Sequence, residues 1–135
     1  MNELSAAGID ALLRDQVVGR IGCTADAETY VVPVIYAWDG EAVWVATVEG
    51  RKTRAMRANP RVCFEVDEYS GPGVWRSAIL QGDYEELSGE DAEHALELLR
   101  ARFSGGAARR PRETGREPVI FRIRVREATG RSVGR

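Results

Sequence analysis

The stretch from Glu41 to Glu68, EAVWVATVEGRKTRAMRANPRVCFEVDE, leaves the chain few ways to fold. Val43, Val45 and Thr47 alternate with Trp44, Ala46 and Val48, and almost every one is apolar or β-branched, so a strand with both faces at least partly buried is expected. Gly50 breaks it, Arg51-Lys52-Thr53 open a helix of about two turns, and Asn59-Pro60 stop that helix before a second strand. A helix so short gains little from its own propensity. Its N-terminus offers free backbone N–H groups and the positive end of the dipole, with Arg51 and Lys52 beside them. The reading is that a phosphate binds at this mouth.

The remaining segments build a mainly β domain around that stretch. Ser5 can cap a helix running to about Asp15, with Leu4 and Ile9 as a hydrophobic staple and Ile9, Leu12 and Leu13 as its apolar stripe. Val17–Thr24 reads as the first strand, Asp26-Ala27 as a turn, and Tyr30–Trp38 as the second strand. Asp39-Gly40 then makes a hairpin into the third strand, Glu41–Val48. Pro33 cannot donate to a ladder, so its strand lies at an edge, at a bulge or against something flat that is not backbone. Arg61–Asp67 is the fourth strand, Ser70–Gly73 a loose turn, and Trp75–Leu87 the fifth strand with a bend at Gly82. Ser88 caps a helix to Phe103, with Asp91 completing a capping box and Ala92, Ala95, Leu96, Leu99 and Phe103 as its core face. The arginine-rich run 104–117 reads as a flexible connection that could close over an anion or simply be solvated. Pro118–Arg126 alternates as a half-exposed final strand, and the tail beyond Glu127 is expected to fray. Six strands joined largely by hairpins favour a single antiparallel barrel, residues 1–135, over a βαβ sheet.

Composition narrows the chemistry. A net charge of −2 gives no general attraction for nucleic acid or an anionic membrane, and no apolar run approaches the length of a membrane span. Nothing at the N-terminus reads as a signal peptide, so a cytoplasmic protein is expected. Cys23 and Cys63 sit in separate strand-like runs, which favours buried, reduced thiols. His94 is the only histidine and lies on the amphipathic helix, so neither a metal ligand set nor a Ser–His–Asp triad can be assembled. Lys52 is the only lysine beside eighteen arginines, an excess that codon bias explains. A chain with so few acid–base groups is suited to borrowing reactivity from a cofactor, or to binding alone.

VVPVIYAWDG, then VWVATVEGRKTRAMRANPRVCFEVDE, then WRSAILQGDYEEL resembles in order and spacing the pyridoxamine 5′-phosphate oxidase-like flavoproteins, in particular the branch of nitroimidazole-resistance proteins. The resemblance spans about Val17 to Leu87, and GRK, RANPRVCFEVD and WRS are its most specific parts. It implies an FMN-binding, six-stranded antiparallel split β-barrel that forms a homodimer with the cofactor at the interface. By position, Arg51, Lys52 and Thr53 correspond to the element that holds the FMN phosphate. Pro33, Val34 and Ile35, and Val45, Ala46 and Thr47, correspond to strands whose backbone borders the flavin ring. Trp75, Arg76 and Ser77 correspond to the strand that completes the pocket, from the same or the other subunit, although core or dimer packing would also account for Trp75 and Trp44.

Two departures restrict what carries over. Ala46 stands where the nitroimidazole-resistance branch commonly has histidine, so histidine-dependent chemistry does not transfer. Val31 and Val32 stand where true pyridoxamine 5′-phosphate oxidases carry a phosphate-binding arginine, so B6 oxidation is not expected. The implied activity is flavin-mediated hydride or electron transfer from a donor such as NADH or NADPH to a small molecule, nitroaromatic compounds among the candidates. The rival readings are a split-barrel reductase using a deazaflavin cofactor and a non-enzymatic flavin- or haem-binding module.

Overall fold

A computed structural model describes residues 1–103 and 117–134. The elements are β1 (Asn2–Glu3), α1 (Ala6–Asp15), β2 (Val18–Ala25), β3 (Glu28–Ile35), β4 (Ala37–Trp38), β5 (Ala42–Val48), α2 (Arg51–Ala58), β6 (Arg61–Gly71), β7 (Val74–Glu86), α3 (Gly89–Arg102) and β8 (Pro118–Val133). One antiparallel sheet runs in the order β3-β2-β6-β7-β8-β5-β4, with β1 added to β8. The expected barrel is therefore present. Among the described residues its strands number eight because the six long ones are joined by two two-residue strands, β1 and β4.

β4 exists because the second expected strand is cut at Tyr36. That side chain turns inward, its ring meets Phe64 edge-on at 4.9 Å, and its hydroxyl donates to the Leu13 carbonyl at 2.6 Å. Residues before Tyr36 pair with β2, and Ala37 and Trp38 pair with Trp44 and Val43 on β5. The two ends of the sheet are thus joined by chain and not by a hydrogen-bonded ladder, which is the split in the barrel.

Inside lie Ile21, Tyr36, Val43, Val45, Met56, Phe64, Leu80, Phe121 and Ile123, with Leu12 and Leu13 of α1 against them. Gly19 is required in β2, since a Cβ there would fall within the Phe64 ring. At Gly82 the β7–β8 register shifts, the bend its glycine led us to expect, and a Cβ would strike the Arg124 carbonyl. α3 covers the outside of β5, where Trp44, Ala95, Leu99 and Phe103 form a second cluster.

Three local expectations are corrected. The tail does not fray: β8 continues to Val133 because its later half is paired on one edge by β7 and on the other by β1, with Gly130 buried beneath Leu4 and Ile9. Ser70–Gly73 is not loose but a tight reversal, with β6 reaching Gly71 and β7 starting at Val74. Ser88 makes no side-chain bond to α3, and Gly89 enters the helix with φ of 60°. Ser5 does cap α1, accepting from the Gly8 N–H at 3.1 Å. Both cysteines are free; Cys23 is buried, whereas Cys63 is only half-buried. The run 104–117 falls, apart from Glu117, outside the described residues.

Candidate functional site

The candidate site begins where β5 leaves the sheet. Glu49 donates its N–H to the Glu117 carbonyl at 2.8 Å, and Gly50 starts α2. The Gly50 N–H donates to Thr53 Oγ1 at 2.9 Å, and that hydroxyl donates back to the Gly50 carbonyl at 2.9 Å. Thr53 is fully buried, and its hydroxyl is used up in shaping the helix mouth. The first turn of any helix leaves N–H groups without intrahelical partners. Here the first α2 bond runs from the Arg54 N–H to the Gly50 carbonyl at 3.2 Å, so the N–H groups of Arg51, Lys52 and Thr53 lie ahead of the ladder.

The far end of α2 is pinned. Arg57 donates through Nη1 and Nη2 to both Glu49 oxygens at 2.8 and 2.6 Å, and through Nε to Glu86 Oε1 at 2.7 Å. The Arg57 guanidinium holds the carboxyls of Glu49 and Glu86 below their ordinary range, and the two carboxylates in turn raise Arg57. Arg57 is therefore committed to structure. Arg51 is not: it is exposed, it forms no ion pair with a carboxylate among the described residues, and its guanidinium lies 5.4 Å from the centre of the Tyr30 ring on β3. Lys52 is half-buried on the side of β2, where its charge is felt by Cys23. Burial nevertheless pushes the Cys23 thiol up, with Cys63 adding to the effect, so it is kept as an unreactive thiol.

Arg51 thus reaches from the end of β5 to Tyr30 across the split. The two strand segments expected to border a ring flank the same opening. On β3, Val34 is buried in the core while Pro33 and Ile35 face outward. On β5, Val45 is in the core, Ala46 packs beneath α3 and Thr47 is half-buried. What both segments offer is a backbone edge: among the described residues β3 pairs only with β2, and β5 beyond Trp44 pairs only with β8. Pro33 on an unpaired edge costs no ladder bond.

Trp75, Arg76 and Ser77 lie elsewhere on the same chain. They start β7, opposite Tyr69, Glu68 and Asp67. Between them and the open edge of β3 lie β2 and β6. Arg76 is already engaged, with Nε 2.8 Å from Glu68 Oε1 and Nη2 3.3 Å from Asp15 Oδ2. Around it, Glu68, Ser70, Val74, Trp75, Ser132 and Val133 line an open cleft of about 330 Å³. Within one chain, then, the α2 mouth and the two strand edges come together, and residues 75–77 do not join them.

Two features escaped the sequence reading. Tyr30, beneath Arg51, looked like any strand residue; only the path of α2 over the sheet selects it. Arg20 sits between Glu65 and Asp67, at 3.3 and 3.0 Å. Their alternation in RVCFEVD does place both carboxylates on one face, but the cation comes from a different strand. Burial pushes the Glu65 carboxyl up to about 7, with Asp67 acting in the same direction and Arg20 against it.

Residues 5–132 match the family model described as pyridoxamine 5′-phosphate oxidase. The chain belongs to that family. Among solved structures of similar proteins, an FAD-binding protein of Mesorhizobium loti is 32% identical, with 99% of this chain and 97% of that one covered and a TM-score of 0.79. The fold is shared with a candidate 5-nitroimidazole antibiotic resistance protein of Bacteroides thetaiotaomicron, 18% identical over 98% of this chain and 89% of that one, TM-score 0.79. It is shared as well with an FAD-binding protein of Mycobacterium smegmatis, 24% identical over 98% of both chains, TM-score 0.76. Family membership extends well past the Val17–Leu87 region where the motifs are densest, into α1 and most of β8. No helix among the described residues is long and apolar enough to cross a membrane.

Proposed function

We propose that this member of the pyridoxamine 5′-phosphate oxidase family is a flavin-dependent oxidoreductase, with the flavin phosphate at the mouth of α2 and the ring along the open edges of β3 and β5. The observation that carries the reading is that Arg51, Lys52 and the first N–H groups of α2 stand at the end of the split, beside two strand edges with unpaired backbone. Charge and dipole there suit a phosphate, and a flat ring with polar atoms on one edge suits a strand edge. The residues present fit the group.

When bound, a flavin supplies the two-electron chemistry. The chain's share is binding and orientation. Arg51, stacked on Tyr30, and Lys52 neutralise the phosphate; the Arg57 clamp fixes the axis of α2 and hence the direction of its N–H groups. The β3 and β5 backbones set the plane of the ring. Because residues 75–77 lie on β7, with β2 and β6 between them and the open edge of β3, the reading takes the active unit to be a homodimer, with Trp75, Arg76 and Ser77 of a second copy completing each site. A small-molecule substrate, nitroaromatic compounds among the candidates, and a nicotinamide donor complete the scheme in the cytoplasm.

FMN carries the ring and a single terminal phosphate, which is what this mouth and the two strand edges are proposed to hold. FAD carries the same ring and first phosphate, and the 32% identical Mesorhizobium loti relative is an FAD-binding protein, so the adenylate would extend past Arg51. An absorbance scan of purified protein, followed by mass analysis of what denaturation releases, tests the proposal. A flavin spectrum with FMN or FAD in the released fraction supports it. A deazaflavin, or a colourless protein that flavin does not restore, rejects it.

A further inference from the structure

Glu68, Arg76 and Ser132 form one row across β6, β7 and β8, each opposite the next in register. Side chains alternate along a strand, so the row faces the same side as Val66, Ala78 and Leu80, which are core. Three polar residues thus make the last inward-facing layer of the barrel before β6 turns back into β7. At an ordinary barrel end such groups are simply solvated. Ser132 is not: it is 6% exposed, and its hydroxyl has no hydrogen-bond partner among the described residues. A buried hydroxyl left without a partner costs stability. This one lines the cleft of about 330 Å³ beside Trp75 and Arg76, which is the small end of the range of ligand pockets.

The chemistry of the cleft selects its ligand. Arg76 spends Nε and Nη2 on Glu68 Oε1, at 2.8 and 2.7 Å, and Nη2 also reaches Asp15 Oδ2 at 3.3 Å. Gln16 Nε2 fixes the other Glu68 oxygen at 3.3 Å, so the carboxylate is turned toward its partners. Behind Asp15, Arg102 Nη2 donates to the Asp15 and Gln16 carbonyls at 3.4 and 3.2 Å. Two guanidinium groups and two carboxylates therefore cancel, and neither an anion nor a cation finds a counter-charge to spare. What remains are donors, Arg76 Nη1 and the Ser132 hydroxyl, between apolar walls supplied by Val74, Trp75 and Val133.

We propose that this barrel-end cleft binds a small, flat, uncharged molecule through an acceptor oxygen of the amide or carbonyl type. Ser132 and Arg76 are the donors, Trp75 is the flat wall, and Glu68 and Asp15 act as positioning residues that hold the guanidinium in place. The cleft is built within one chain and its ligand is not the flavin. Its place in the reaction rests on the reading above: where Trp75 and Arg76 adjoin the flavin of a second copy, a molecule held here stands beside that flavin, as a substrate must.

Protein-observed NMR of the full chain tests this with three molecules of one shape: benzamide, benzoate and benzamidinium. Benzamide is expected to shift the Trp75 indole signal and the Ser132 and Val133 amide signals saturably, in apoprotein and in FMN-loaded protein alike. Benzoate and benzamidinium are expected to bind at least about tenfold more weakly, because burial leaves either charge without a counter-ion. Ser132→Ala, its fold checked by far-UV circular dichroism, is expected to bind benzamide about three- to tenfold more weakly, the share of one neutral hydrogen bond. Benzamide shifts absent from the cleft, a charged analogue binding as tightly as benzamide, or an unchanged constant in Ser132→Ala would overturn the inference. So would loss of the benzamide response on loading with FMN, which would make the cleft part of the flavin site. Benzamide held in the cleft of a chain that takes up no flavin would support the cleft and refute the flavin reading alone.

Discussion

Replacing Gly19 by alanine puts a methyl group where the Phe64 ring lies. The added Cβ would approach three atoms of that ring more closely than real Cβ atoms do. The ring cannot step aside: Phe64 is fully buried and held edge-on by Tyr36 at 4.9 Å. β2 cannot retreat either, being paired with β3 on one edge and β6 on the other. Overpacking of this kind costs about 1–3 kcal/mol, and the double constraint puts Gly19→Ala at the upper end, about 2–3 kcal/mol. For a domain of this size that lowers Tm by roughly 7–11 °C. Phe64→Leu alone should cost about 1–2 kcal/mol through lost packing. Because it also removes the clashing ring, the double variant should be more stable than the sum of the two by at least about 1 kcal/mol. Urea denaturation of the four proteins, followed by far-UV circular dichroism, closes the cycle. A neutral Gly19→Ala, or strict additivity, would refute the account of why this strand needs a glycine beside the site edge at Val34.

Two further outcomes follow from named contacts. Tyr36→Phe removes the 2.6 Å donor to the Leu13 carbonyl, one of the last carbonyls of α1, and should cost about 1–2 kcal/mol in urea denaturation with the fold intact. Arg57→Gln releases Glu49 and Glu86. Since Arg57 depresses both carboxyls, their contribution is present at neutral pH and is lost as pH falls below about 4.5. The wild type should therefore lose more Tm between pH 7 and pH 4 than the variant does; equal losses in a thermal melt would contradict the clamp.

Much of this fold was legible because local chemistry and tertiary structure agree. Asp26 and Ala27 both take left-handed φ values, 53° and 63°, in the turn their position suggested. Asn59-Pro60 ends α2 and Gly82 bends β7 for reasons internal to those residues. The misses arise where a distant partner decides. YVVPVIYAW has no local reason to break at Tyr36; the break serves a hydroxyl bond to α1 and a ring contact to β6. Residues 128–133 are too polar to be read as a strand, yet both their edges are claimed by β7 and β1. Ser88 has the right neighbours for a capping box, but Gly89 enters the helix with positive φ and the box does not form. At the site, GRK pointed to an anion at the start of α2, whereas Tyr30 beneath Arg51 and the distance to residues 75–77 depend on how the sheet is ordered.

Titration of apoprotein with FMN, followed by quenching of flavin fluorescence, bears most directly on the central claim. Charge-assisted hydrogen bonds contribute on the order of 1.5–3 kcal/mol each, so Arg51→Ala combined with Lys52→Ala should weaken binding by at least about a hundredfold and yield a colourless protein on purification. Wild-type affinity in that double variant would contradict a flavin phosphate held at the mouth of α2.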